Sequence, residues 1–224
     1  MGQARARQIH EKEARRQGIL AAAARLWAST PFTALSMAQV AREAGLAKGT
    51  LYLYFRTKEE LFLALVEGEL LAWFEDLDEV LGQGRGDLAP GDLARLLARS
   101  LASRPRLPRL LAILHTVLEQ NIEHLTALRF KQFVATRTLR TGRLLERRFP
   151  GLQGGSGPQL LLQLHALALG FWQLADPAPA VKDLLDAPGL ELFRVDFGES
   201  LNRTLLTLLA GTSAPARASA GSAG

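Results

Sequence analysis

Residues 36–62 read SMAQVAREAGLAKGTLYLYFRTKEELF, and the punctuation inside them decides the fold. Ser36 is followed three places later by Gln39. At that spacing a serine hydroxyl takes an orphan amide of a new helix while the glutamine side chain reaches back to the serine amide. Ala44-Gly45 ends the helix, because glycine enters the left-handed conformation without a Cβ penalty. Leu46 then packs into the corner, and a second helix of about ten residues starts near Ala47. Thr57-Lys58-Glu59-Glu60 has the spacing of another capping box and opens a long helix. A capped helix, a glycine corner and a second short helix make a helix-turn-helix. Val40, Ala41 and Leu46, with Leu51 and Phe55, supply its small shared core, and Ala41 is small where the two helices cross.

With Leu51 and Phe55 turned inward, Lys48, Gly49, Thr50, Tyr52, Leu53 and Tyr54 remain on or near the surface of the second helix. A recognition helix needs that arrangement, since its first residues meet base edges in the major groove and its flanks hold phosphates. Lys48 suits a phosphate or a guanine edge, Gly49 lets the helix start come close, and Thr50 offers a hydroxyl and a methyl. Tyr52 and Tyr54 carry rigid rings whose hydroxyls reach phosphate oxygens. Lys58, in the first turn of the long helix, adds a cation where the helix end already favours an anion, and Ser36 occupies the equivalent place one helix earlier. The competing reading makes the tyrosines half-buried packing residues and Ser36 a cap alone; capping and phosphate binding are compatible.

Charge supports the first reading. Residues 1–60 hold ten Lys/Arg against five Asp/Glu, whereas residues 61–224 hold seventeen of each, so the whole net charge of +5 lies in the first quarter of the chain. A local basic excess is the footprint of a phosphate-binding module, although a solvated basic tail gives the same number. There is no cysteine, which excludes disulfides and thiolate metal sites and makes a reducing cytoplasm the simpler reading; a nucleoid-associated location is expected with the DNA-binding reading. No apolar run of about 18 residues is present to span a membrane, and the charged opening MGQARARQIHEKEARRQG does not read as a secretory signal.

Further out, the pattern is all-α. Gly and Pro breaks delimit about nine helices, with apolar residues recurring at three and four. The first helix runs from about Glu11 to Ser29, with Ile19, Leu20, Ala23, Leu26 and Trp27 on one stripe. After Thr57 the expected helices are 58–82, 89–103, 106–121, 123–148, 158–175 and 190–210, with a short segment near 179–186. GPQLLLQLHALALGFWQLA is apolar on nearly every face, with Gly170 leaving room for close approach. LELFRVDFGESLNRTLLTLLAG brings Leu192, Phe193, Phe197, Leu201, Leu205 and Leu208 at helical spacing. Residues 212–224 are small and polar and read as a disordered tail.

Residues 13–73, taken as one ordered pattern (ILAAAARLW, LSMAQVAREAGLAKGTLYLYF, then TKEELF), resemble the DNA-binding domain of the TetR family of bacterial transcriptional regulators. The resemblance implies a three-helix DNA-binding domain over 13–73, with its motif at about 36–55, followed over 74–211 by a helical-bundle domain that binds an effector and dimerises. It implies contacts to double-stranded operator DNA from Ser36, Ala47, Lys48, Gly49, Thr50, Tyr52, Tyr54 and Lys58. It further implies a homodimer, paired through the last two long helices, that reads a palindrome. Three positions depart from the family pattern: Pro31 replaces a usual glycine, Ala47 a frequent serine or threonine, and Leu53 a polar or aromatic side chain that often touches DNA.

The function expected is therefore a ligand-responsive repressor released from its operator by an unidentified small molecule. An apolar pocket is expected in the second domain, with Trp73, His115, Glu119, Phe130, Phe133, His165 and Trp172 as its candidate lining. His115 and Glu119 are one helical turn apart, but neither they nor His124 and His165 match a known metal-ligand spacing. No metal, cofactor or catalytic residue is expected, because no nucleophile, base and acid converge in a recognisable pattern. Two alternatives stay open: the same architecture controlled by a protein partner, and a small-molecule carrier or enzyme with an incidental basic face.

Overall fold

The computed structural model describes residues 2–213. Ten α-helices follow one another in it, with no strand among the described residues: α1 (Gly2–Ser29), α2 (Met37–Glu43), α3 (Lys48–Tyr52), α4 (Lys58–Gln83), α5 (Pro90–Ala102), α6 (Arg106–Ile113), α7 (His124–Arg148), α8 (Ser156–Ala175), α9 (Pro179–Lys182) and α10 (Phe197–Ser213). The tail expected over 212–224 falls, beyond Ser213, outside the described residues. Two compact units divide the chain. One holds the residues up to Leu70 together with Ile113–Lys131; the other holds Leu71–Ala112 and the chain from Gln132 onward. The assignment of 113–131 to the first unit has no counterpart in the sequence pattern.

In the first unit α1 packs on α2 and α2 on α3. Its core is Ile19, Ala22, Ala23 and Trp27 from α1, Val40 and Ala41 from α2, Leu51 and Phe55, and the start of α4 from Leu61 to Val66. Phe62 is sealed completely and makes T-shaped contacts with two rings, Trp27 at 5.7 Å and Phe32 at 4.9 Å between ring centroids. Leu46, expected in this core, is only half-buried. Its amide donates to Ala41 O at 2.8 Å while the Gly45 amide donates to Arg42 O at 3.1 Å. This pair of bonds closes the end of α2 and requires the left-handed Gly45, at φ 67°.

Several elements differ from their expected extents. Helix α1 begins at Gly2, well before Glu11. Helix α3 is five residues long, half of what the spacing suggests. Its last amides tighten, Leu53 N to Thr50 O (3.2 Å) and Tyr54 N to Leu51 O (3.0 Å). That turn swings Phe55 into the core. The helix expected over 106–121 stops at Ile113, passes through a π turn at Leu114–Leu118 and ends in a 3₁₀ turn at Glu119–Asn121. The wider π turn keeps both Leu114 and Leu118 buried. Helix α10 starts only at Phe197, where the Asp196 carboxylate accepts from the Glu199 amide at 2.7 Å. Leu192 and Phe193, expected on that helix, lie before it and are exposed.

In the second unit α10 packs on α5 and on α8. Leu201, Leu205 and Leu209 are the fully buried residues of α10, facing a core shared by Leu93, Leu97 and Leu101 of α5 and Leu160, Leu164 and Ala168 of α8. Leu208, expected inward, is half-buried; the stripe turns one residue later. Asp78 and Thr141 are the buried polar pair, Thr141 donating its hydroxyl to the Asp78 carboxylate, with Arg140 at 2.9 Å from the other oxygen. Helices α7 and α8 touch backbone to backbone at Gly142 and Gly157. Beside that contact, Glu146 Oε1 accepts from the amides of Gly155 (2.8 Å) and Gly157 (2.9 Å) and places a carboxylate at the start of α8.

Candidate nucleic-acid interface

Each helix end that frames the interface is set by a local device. Ser36 caps α2: its hydroxyl accepts from the Gln39 amide at 3.3 Å and Gln39 Oε1 accepts from the Ser36 amide at 2.8 Å, the reciprocal box that the spacing predicts. At α4 only half of the expected box forms. Thr57 Oγ1 accepts from the Glu60 amide at 3.0 Å, but Glu60 reaches back to the amide of Arg56, one residue earlier than Thr57. Ala47 stands at the start of α3 and makes no side-chain cap to its first amides.

On α3, Leu51 is fully buried and fixes the helix rotation. Ala47, Lys48 and Gly49 are exposed, Thr50 and Tyr54 are half-buried, and Tyr52 and Leu53 stand out at 42% and 80% exposure. The Lys48 ammonium lies 5.9 Å from the Tyr52 ring centroid, one helical turn away, so cation and ring form one outward patch. A Cβ built on Gly49 would meet nothing within 4 Å, so nothing inside the chain demands a glycine there. Ser36, at the start of α2, is exposed as well.

Lys58 has a role that its position in the sequence does not announce. Its ammonium donates to the carbonyl oxygens of Phe32 (2.8 Å) and Leu35 (2.9 Å) and lies 4.2 Å from the Phe32 ring centroid. It thereby ties α4 to the 3₁₀ turn Phe32–Ala34 that leads into α2. Lys58→Ala is expected to lower stability by about 1–3 kcal/mol, because two carbonyls lose a charged donor; denaturant unfolding checks it, and an unchanged midpoint would show the bonds to be incidental. Arg56, which the sequence reading passes over, is exposed just after α3 and forms an ion pair with Glu123 at the head of α7, in the same unit. Its signal was a cation immediately after LYLYF.

The candidate pocket residues are divided between the units: His115, Glu119 and Phe130 in the first, Trp73, Phe133, His165 and Trp172 in the second. His115 Nδ1 and Lys131 Nζ lie 3.0 and 2.6 Å from the two Glu119 carboxylate oxygens. Burial pushes the Glu119 carboxyl up, but hydrogen bonds and charge from Lys131 and His115 prevail and hold it below its ordinary value. Phe130 is buried, Phe133 and His165 are half-buried, and Trp172 packs edge-on against Phe197 at 5.8 Å. Only Trp73 lines the groove of about 490 Å³ in the second unit. That groove has Trp73, Leu77, Val80 and Leu96 as its apolar wall and Arg95, Arg99 and Arg104 with Asp76 and Asp92 along its rim. Trp73 is held there by its Nε1 donating to Ser100 Oγ at 2.9 Å. Among the described residues no group of three or more His, Cys, Asp or Glu gathers as a metal site, and no helix is long and apolar enough to cross a membrane.

Comparison with known proteins agrees with this geometry. The family model described as "Bacterial regulatory proteins, tetR family" matches residues 19–65, which span α2 and α3, and "Tetracyclin repressor-like, C-terminal domain" matches 67–216. The HTH-type transcriptional repressor NemR of Escherichia coli K12 is 31% identical over 78 residues; the match covers 35% of this chain and 39% of NemR. Solved structures share the fold at low identity. FadR from Bacillus subtilis in complex with stearoyl-CoA aligns at a TM-score of 0.57 and 16% identity, over 88% of this chain and 98% of that one. Thermus thermophilus FadR, a TetR-family repressor in complex with lauroyl-CoA, aligns at 0.57 and 22%, over 92% and 98%. With a capped α2, a Schellman-closed corner at Gly45, an outward α3 and family models matching from residue 19 onward, the chain belongs to the TetR family of bacterial transcriptional regulators.

Proposed function

We propose that this regulator is a repressor that binds a palindromic operator as a homodimer and leaves it when a small molecule occupies the second unit. The observation that carries the reading is α3: Leu51 is anchored at zero exposure while Lys48, Gly49, Tyr52 and Leu53 face outward. Ser36, Ala47, Thr50 and Tyr54 are the further candidates for the contact, and Lys58 ties the start of α4 to the turn before α2. Dimerisation through α8 and α10 is supported by an exposed stripe on α8, Leu162, Ala166, Gly170 and Leu174, joined by Leu206 on α10. A twofold pair sets two recognition helices about 34–36 Å apart, one turn of DNA. Effector binding that favours another spacing by about 1–3 kcal/mol lowers operator affinity roughly 5- to 150-fold. The groove beside Trp73 suits an apolar molecule with an anionic head, since Asp92 engages Arg95 at 2.9 Å and Asp76 engages Arg104, leaving Arg99 toward a ligand.

Selection from a random duplex pool followed by footprinting tests the reading. Enrichment of a palindrome with half-sites one turn apart supports it; no enrichment refutes it. Titration with lauroyl-CoA during the same footprint then asks whether an amphipathic anion releases the DNA, as against a protein partner. Tyr52→Phe is expected to cost on the order of 1 kcal/mol of operator affinity with the melting temperature unchanged, because only a hydroxyl on an exposed ring is removed. A large drop in melting temperature would make Tyr52 a packing residue.

A further inference from the structure

From Ala6 onward the first buried residue of α1 is Ile19, yet the helix begins at Gly2. From Ala6 to Gly18 every residue is exposed except Arg16, which is half-buried. A helical stretch with no core beneath it is marginal in water. Here it is supported mainly by surface pairs, Arg7 with Glu11 (3.0 Å), Gln17 with Glu13 (2.8 Å) and Arg16 with Glu13 (3.7 Å). Its composition says what would cover it. Arg7, Lys12, Arg15 and Arg16 outnumber Glu11 and Glu13, and Ile9 is the large apolar residue between Ala6 and Gly18. A helix that lies on a membrane needs a continuous apolar face, which this one lacks. A polyanion needs only the cations.

Position narrows the choice. Arg15, with Glu11, Ala14 and Gly18, lines a shallow groove whose other wall is Ala44 and Leu46, the corner between α2 and α3. The Arg16 guanidinium stands 5.5 Å over the ring of Phe55, the residue that ends the α3 turn. From Glu11 onward the basic stretch therefore runs alongside the helix-turn-helix, within the same unit. From Arg16 back to Arg7 it extends about 13 Å, while duplex DNA carries one charge per about 1.7 Å of axis.

We infer that this stretch of α1 is a second duplex contact, holding the sugar–phosphate backbone beside the groove that α3 enters. The inference rests on the DNA-binding reading above. It is tested with the full chain and a mixed-sequence duplex, titrated over a range of salt, comparing the unaltered protein with a variant carrying Arg7→Gln, Lys12→Gln and Arg15→Gln. The slope of log affinity against log salt is expected to shrink by about 2–3, and affinity near 0.1 M salt to fall about 10- to 100-fold. The melting temperature stays put, since all three side chains are exposed. Glu11→Gln with Glu13→Gln is expected to move affinity the other way. The inference is overturned if the triple variant keeps the slope of the unaltered protein. It is equally overturned if that variant loses binding to phosphatidylserine vesicles while duplex binding is untouched. Duplex binding of the unaltered protein that ignores salt overturns both this inference and the operator reading.

Discussion

Phe62→Ala is expected to lower folding stability by about 3–5 kcal/mol and to abolish duplex binding under conditions where the unaltered protein binds. The ring is at zero exposure and makes T-shaped contacts with Trp27 and Phe32, so three elements of the first unit, α1, the 3₁₀ turn before α2 and α4, meet on it. Truncation leaves a void among packed rings, into which the surrounding structure relaxes only in part. The loss reaches function through α2: Phe32 leads the turn whose carbonyls bind Lys58, and that turn delivers Ser36 to its cap. Urea unfolding followed by intrinsic fluorescence measures the cost, and a duplex titration measures the consequence. Leu53→Ala, at a residue 80% exposed, is the control, expected within about 0.5 kcal/mol of the unaltered stability. A Phe62→Ala cost below about 1 kcal/mol would mean the first unit is not built around this ring.

What was legible in the sequence is what is decided locally. Ser36 and Gln39 specify a cap between neighbours, and Gly45 specifies a left-handed residue, so both ends of α2 come out as expected. Spacing also places Leu51 and Phe55 inward correctly. Helix length was not legible, because α3 ends where Phe55 has to reach the core, a tertiary demand. The role of Lys58 was hidden for the same reason: its acceptors, Phe32 and Leu35, belong to the turn before α2. The start of α10 is a different case. Asp196 and Glu199 have the same spacing as Ser36 and Gln39, and the Asp196 cap was there to be read. Among the candidate ligand residues only Trp73 reaches the groove, because apolar stretches with embedded polar residues describe core and pocket alike.

The α7–α8 crossing carries the other large effect, and nothing local announces it. Gly157 is the second residue of α8 and its φ is unremarkable, so neither turn chemistry nor backbone strain calls for glycine. A Cβ there would stand 2.1 Å from Gly142 O and 2.7 Å from Gly142 C, and a Cβ on Gly142 would stand 2.4 Å from Pro158 N. The obstacles are backbone atoms, which cannot swing aside as a side chain can. Gly157→Ala must therefore push α8 away from α7, and that shift also strains the two amides that Glu146 accepts from. A cost of about 3 kcal/mol is expected, the upper end of ordinary overpacking, read as a lower urea midpoint. Gly170→Ala on the same helix is expected to do the opposite. Its Cβ would meet nothing within 4 Å, so the helix gains about 1 kcal/mol from losing an interior glycine. Under the dimer proposed above, the same methyl lands on the stripe offered to a second copy, so sedimentation should show weaker self-association in a better-folded protein. Gly170→Ala that leaves self-association intact would move the dimer contact off that stripe, while an unchanged midpoint for Gly157→Ala would show that the two backbones do not meet.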